Sequence, residues 1–202
     1  MDFDCIHSTI LKNSSPFPFL SKEIKNNGRI FLKENKLDFF SFLIKTIISQ
    51  QISDKAAESI WGRFCKILDI KYPCYKSFPN LHFLKESLEK SKVSKQKKSY
   101  ICSIYNSILE RKIVIKNLLK MEEKDFRKNL IKVKGIGPWT CDMILIFFLN
   151  KPNILPENDL VIRKTIEKIQ KTEKKKINFR QTFKPFLSIL SLHLWKMSKR
   201  VL

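Results

Sequence analysis

The chain has 202 residues, 43% of them apolar and 29% charged, so it can bury a core and is not a disordered segment. Forty Lys and Arg against 19 Asp and Glu leave a net charge of +21. That excess favours polyanionic partners, nucleic acid before anionic membrane, although lysine spread over a solvated surface accounts for part of it. The longest apolar run, "MILIFFL", is far too short to cross a bilayer, and "MDFDCIHSTILKNSSPFPF" has no basic segment ahead of an apolar one, so the expectation is a soluble cytoplasmic protein. Five cysteines (Cys5, Cys65, Cys74, Cys102 and Cys141) show no CxxC spacing, which argues against zinc or an iron–sulfur cluster and for reduced, mostly buried thiols.

Nearly every segment reads as helix. "LDFFSFLIKTIIS" is apolar almost all round, the pattern of a buried helix. "SDKAAESIWGRFCKIL" opens on Ser53 as N-cap and carries Ala56, Ala57, Ile60, Trp61, Phe64 and Leu68 at helical spacing. "SFPNLH" reads as a loop. "SKQKKSYICSIYNSIL" opens on Ser94, with Ile101, Ile104, Tyr105, Ile108 and Leu109 on one face. "KIVIKNLL" alternates briefly, the only strand-like stretch. "EEKDFRKNLIKV" is acidic at its start and presents Phe126, Leu130, Ile131 and Val133. "PWTCDMILIFFLN" places Pro138 at a helix start, where proline is tolerated. "KPNILPEN" reads as a loop, "DLVIRKTIEKIQK" as a helix and "KTEKKKIN" as a charged loop. In "FRQTFKPFLSILSLHLWKMSK" Pro185 marks the start or a kink of the last helix. The class is all-α.

Two of the four glycines stand together in "VKGIGPW", between two predicted helices. Glycine permits positive φ and the close approach of a neighbour. A turn of this kind, followed at once by a helix, aims backbone N–H groups outward and suits a phosphate. Lys132 and Lys134 flank it, and Ile136 can plug into the core. A plain helical hairpin, needing one glycine as a cap, is the simpler alternative.

"LIKVKGIGPWTCDMIL" resembles the helix–hairpin–helix motif of the DNA base-excision glycosylase superfamily. "IISQQISDKAAESIWGRF", "KVSKQKKSYICSIY" and "PFLSILSLHLW" resemble further segments of its 3-methyladenine DNA glycosylase II branch, so the resemblance runs over roughly residues 30 to 196. It implies a two-lobed helical fold in the minimal form, without an N-terminal β domain. The hairpin-containing lobe would take residues 35–150, the second lobe 1–34 plus 151–202, and the hairpin itself 124–149. Where the branch usually has Arg before the serine that follows the proline, this chain has Leu187 before Ser188.

The resemblance also implies an activity: a monofunctional glycosylase that flips out and excises alkylated purines, 3-methyladenine and 7-methylguanine with hypoxanthine or ethenoadenine as further candidates. Asp159, in "LPENDLVIRK", stands where the family places its catalytic aspartate. As a helix N-cap it also has a purely structural reading, and Glu157 is the less favoured carboxylate. Trp139 and Met143 would line the base pocket, a cationic purine stacking on the indole. Gln51 would be the wedge that fills the gap left by the flipped base, with Gln50 and Ile52 beside it; a polar turn capped by Ser53 is the alternative. Lys134, Gly135, Gly137 and Thr140 would hold a DNA phosphate. The backbone carbonyls of Ile131, Val133 and Ile136 would hold a monovalent cation, Na+ or K+, and no other cofactor is required. Lysines of "KSKVSKQKK" and "KTEKKK" would make nonspecific phosphate contacts. Trp61 and Trp195 read as core. The expected partner is double-stranded DNA carrying damaged bases, with no membrane, and the protein a monomer associated with the nucleoid if prokaryotic. Two competing readings are a glycosylase for oxidised or deaminated bases and a non-catalytic helix–hairpin–helix DNA-binding protein.

Overall fold

The computed structural model describes residues 2–202. Among them the regular structure is helical throughout: α1 Phe3–Ser14, α2 Pro18–Asn27, α3 Phe39–Ser49, α4 Asp54–Leu68, α5 Leu81–Lys90, α6 Lys95–Leu109, α7 Ile115–Leu118, α8 Glu123–Leu130, α9 Pro138–Phe147, α10 Leu160–Glu173, α11 Phe179–Phe183 and α12 Leu187–Val201, with a 3-10 turn at Tyr75–Ser77. The chain divides into two compact units, residues 35–144 and residues 1–34 with 145–202, and the division falls inside α9.

In the unit of residues 35–144, α3 is the central element. Phe39, Phe40, Leu43, Ile44, Ile47 and Ile48 are all buried, which is why its sequence is apolar on every side. Asp38 caps it: Oδ1 accepts from Ser41 N at 2.9 Å, while Oδ2 accepts from Tyr75 N at 2.6 Å. An aromatic cluster closes the core beneath, with Phe40 edge-on to Phe78 at 5.7 Å and Phe64 stacked on Phe78 at 5.9 Å. The Tyr105 hydroxyl donates to the Phe78 carbonyl at 2.9 Å, which gives that buried group a partner. Ser53 and Ser94 cap α4 and α6 through their side chains, as their sequence positions imply.

The other unit is built on α10 and α12, which pack against each other and against α2. Its core joins Ile6, Ile10, Leu20 and Ile24 to Ile162, Ile169, Phe183, Leu187, Leu190 and Leu194. Lys184, Pro185 and Phe186 separate α11 from α12, so the proline divides two helices rather than kinking one.

Several expectations need correcting. The strand-like "KIVIKNLL" forms the four-residue α7 instead, since no partner strand exists among the described residues for it to pair with. "SFPNLH" is a loop only as far as Asn80, whose side chain accepts from Phe83 N and starts α5. "KTEKKKIN" is a loop only after α10 has run on to Glu173. Leu109 and Ile131 lie at helix C-termini and are 56% and 44% exposed, because the chain turns away from the core before their side chains reach it. Cys102 and Cys141 alone of the five thiols are buried.

Candidate functional site

The hairpin connects α8 to α9. Phe126 and Leu130 bury the inner face of α8, and Ile136 plugs the turn between the helices at 4% exposure. Val133 N donates to Leu130 O and Ile136 N to Val133 O, both at 3.0 Å, which winds the turn tightly. An ion pair locks the two helices: Arg127 of α8 reaches Asp142 of α9 at 2.6 Å and Glu123 of its own helix at 2.9 Å. Asp142 is 4% exposed.

The two glycines serve different ends. Gly135 has φ +92°, and a Cβ on it would lie 2.3 Å from Tyr100 Cγ and 2.6 Å from Tyr100 Cβ. It is glycine because the fold demands it twice over, by conformation and by contact. Gly137 has ordinary φ, and a Cβ there would meet nothing within 4 Å. No feature of this chain requires it. Its carbonyl accepts from Cys141 N at 3.1 Å, so it stands at the start of α9, whose first-turn amides point outward along the axis. Lys132 and Lys134 are exposed beside it.

Thr140, expected among the phosphate contacts, turns its side chain inward. It is 1% exposed, and its hydroxyl accepts from the Gln50 amide at 3.0 Å. Gln50, grouped with the wedge, is likewise turned inward: its Nε2 donates to Gly135 O and to Thr140 Oγ1. Gln51 and Ile52 are exposed, and Gln51 has φ +56°. Trp139 is half-buried and Met143 buried, both on α9. The Val133 carbonyl, one of three expected at a cation, also accepts the Ile136 amide, which leaves it a second lone pair. An all-oxygen set of carbonyls suits a hard monovalent ion.

In the other unit, Asp159 starts α10. Its Oδ1 accepts from Ile162 N at 2.9 Å and from Trp195 Nε1 at 3.2 Å, and the residue is 8% exposed. Capping and a buried, oriented carboxylate are thus one arrangement. The loop that delivers it is pinned by α12: Ser188 Oγ donates to Lys151 O at 2.6 Å and accepts from Ile154 N at 3.0 Å. Leu187, at the position where arginine is usual, is fully buried in the core. Glu157 is held in a surface ion pair with Arg180 at 2.6 Å, which lowers its pKa. Trp195, read from sequence as core, stacks on Phe147 at 5.7 Å and points its N–H at Asp159. No local pattern could have revealed this, because its partner is 36 residues away.

An all-helical fold with a glycine hairpin and a buried, capped aspartate defines the class, and the family model agrees. Residues 44–187 match the HhH-GPD superfamily of base excision DNA repair proteins, and the chain belongs to that family. It is 29% identical to the DNA-3-methyladenine glycosylase of Saccharomyces cerevisiae, over 93% of this chain and 76% of that one. It is 26% identical to a DNA-3-methyladenine glycosylase of Bacillus subtilis, over 79% of this chain and 57% of the longer relative. The fold matches the Schizosaccharomyces pombe 3-methyladenine DNA glycosylase solved in complex with abasic DNA, with TM-score 0.76 and 24% identity over 96% of both chains. No helix among the described residues is long and apolar enough to cross a membrane.

Proposed function

We propose that this protein is a monofunctional DNA glycosylase that extrudes alkylated purines, such as 3-methyladenine and 7-methylguanine, and hydrolyses their N-glycosidic bond. The observation that carries the reading is Asp159: a carboxylate 8% exposed, oriented by a backbone amide and an indole N–H on one oxygen. A non-catalytic DNA-binding module gains nothing from burying an oriented anion beyond its role as a cap. The likeness to DNA-3-methyladenine glycosylases supports the substrate class.

The chemistry follows from the leaving group. An N-alkylated purine carries positive charge and departs with little help from a general acid. Its departure leaves an oxocarbenium-like sugar, which a nearby carboxylate stabilises while orienting the attacking water. The indole of Trp139 offers a cationic base an electron-rich face. The start of α9, with Gly137, Lys132 and Lys134, holds a phosphate of the duplex. The Ile131, Val133 and Ile136 carbonyls would hold a monovalent cation, which would supply further positive charge for DNA binding.

Water rather than an amine completes the reaction. In the resembling family the lyases carry a lysine two residues after the second hairpin glycine, and this chain has Trp139 there. An indole nitrogen forms no Schiff base.

Duplexes carrying 7-methylguanine, ethenoadenine, hypoxanthine or 8-oxoguanine, incubated with the protein and then treated with alkali, test the reading. Release of the alkylated bases is expected, and Asp159→Asn should lower it about 10²- to 10³-fold while leaving DNA binding intact. Borohydride should trap no adduct. Release of 8-oxoguanine alone, or a trapped lysine adduct, would favour the oxidised-base reading. No release of any base would favour a binding module.

A further inference from the structure

Lys97 belongs to the basic run after Ser94, yet its ammonium faces inward. Nζ donates to Ile48 O at 2.8 Å and to Gln50 O at 2.7 Å. These carbonyls belong to the last turn of α3 and to its C-cap, groups that lack intrahelical donors. Many helices end on a left-handed residue, usually glycine, that folds the chain back onto those carbonyls. Here no glycine follows, and a lysine from 47 residues away takes that place for Gln50. Burial lowers the Lys97 pKa, the mark of a cation stripped of water for this contact.

From the other side, the Gln50 amide donates to Gly135 O and Thr140 Oγ1, both at 3.0 Å. The residue is therefore gripped twice, its carbonyl by α6 and its side chain by the hairpin. The next residue, Gln51, is exposed and sits at φ +56°, in the left-handed region that Asp69 and Lys174 also adopt at helix ends, so the turn holds its backbone in one conformation.

We propose that Lys97 and Gln50 are positioning residues that clamp the Gln50–Ser53 loop to the hairpin, presetting Gln51 to enter the duplex as the extruded base leaves. This rests on the glycosylase reading above. A loop already ordered loses little freedom on insertion, whereas a loose one must be ordered at that moment. The clamp should therefore matter most where the duplex resists. Extruding a base from a full pair costs more than extruding one that has no partner.

Single-turnover release of 7-methylguanine, paired with cytosine or placed opposite an abasic spacer, tests the proposal. A 2-aminopurine next to the lesion reports unstacking by its fluorescence, whether or not the bond is then cut. Lys97→Met, which keeps the apolar stem, should slow release from the paired lesion about ten-fold or more and from the unpaired lesion about three-fold or less, with the fluorescence rise reduced in step. Gln50→Leu should do the same from the hairpin side, and it serves if Lys97→Met fails to fold. Lys97→Arg, which can still donate to both carbonyls, should restore the paired rate. A purely structural role would slow both substrates equally. Equal slowing, or an unchanged fluorescence rise in both variants, overturns the proposal. If the wild-type protein releases no base, the glycosylase reading fails, and the fluorescence comparison alone then decides the clamp.

Discussion

Replacing each hairpin glycine by alanine should separate what the fold needs from what the ligand needs. At Gly135 the new methyl is forced into a left-handed backbone at φ +92° and against the root of the Tyr100 side chain, 2.3 Å from Cγ and 2.6 Å from Cβ. The conformation costs about 1–2 kcal/mol. The contact adds about 1–3 kcal/mol, because Tyr100 Cβ and Cγ cannot swing away as a side-chain tip would. Gly135→Ala should therefore lose about 2–5 kcal/mol, which for a chain of this size lowers Tm by roughly 4–20 °C. Tyr100→Ala should relieve the variant only in part, since Cβ stays in place. Gly137→Ala meets neither obstacle, and the poorer N-cap costs about 1 kcal/mol or less. Its methyl instead occupies the open space before α9. Affinity for a duplex with an abasic site, followed by fluorescence anisotropy at low salt, should fall by about ten-fold or more, while Tm stays within a few degrees of wild type. Thermal unfolding and anisotropy on the same preparations check both halves. A stable Gly135→Ala would refute the close packing on Tyr100. Undiminished binding by Gly137→Ala would refute the phosphate site.

Trp195→Phe keeps an aromatic ring against Phe147 but removes the N–H that Asp159 accepts; we expect base release to fall about ten-fold with little change in Tm, and an unchanged rate would make the indole a packing group only. Arg127→Met takes the guanidinium from buried Asp142 and should cost about 3 kcal/mol in urea unfolding; Arg127→Met with Asp142→Leu should recover most of it, and a single-variant loss below about 1 kcal/mol would show that the pair does not lock the hairpin. Burial, with His7 and Lys196 nearby, holds the His193 imidazole down to about 3 from its ordinary 6.5. Between those values the unfolded chain binds a proton that the folded chain does not, so stability is full above pH 6.5 and falls on acidification. The slope is at most about 1.4 kcal/mol per pH unit. Urea unfolding at pH 6.5 and 5 should show about 1.5 kcal/mol less at the lower pH, and His193→Leu should flatten that difference; an equally steep loss in the variant would assign it to other groups.

The helical class, the starts of α4, α6 and α10 and the hairpin were all legible in the sequence, because each rests on interactions within a few residues. Ser53, Ser94 and Asp159 bond to amides three residues on, and apolar spacing marks the faces that are buried. Asp159 and the glycine pair could be picked out for the same reason: their chemistry is carried by a short local pattern. What the residues around them do was settled by contacts between distant segments. Lys97 looked like one more surface lysine until α6 brought it to the end of α3, and Trp195, which packs against the core as read, also has its N–H aimed at Asp159 by α12. Gln50 and Thr140 read as groups that face DNA, yet they face each other across 90 residues of chain. The two glycines of "GIG" are identical in sequence, and only the backbone conformation and the side chain of Tyr100 distinguish the one that the fold requires from the one it leaves open. Local patterns encode which backbone groups need partners, but a partner supplied from another helix depends on how the helices pack.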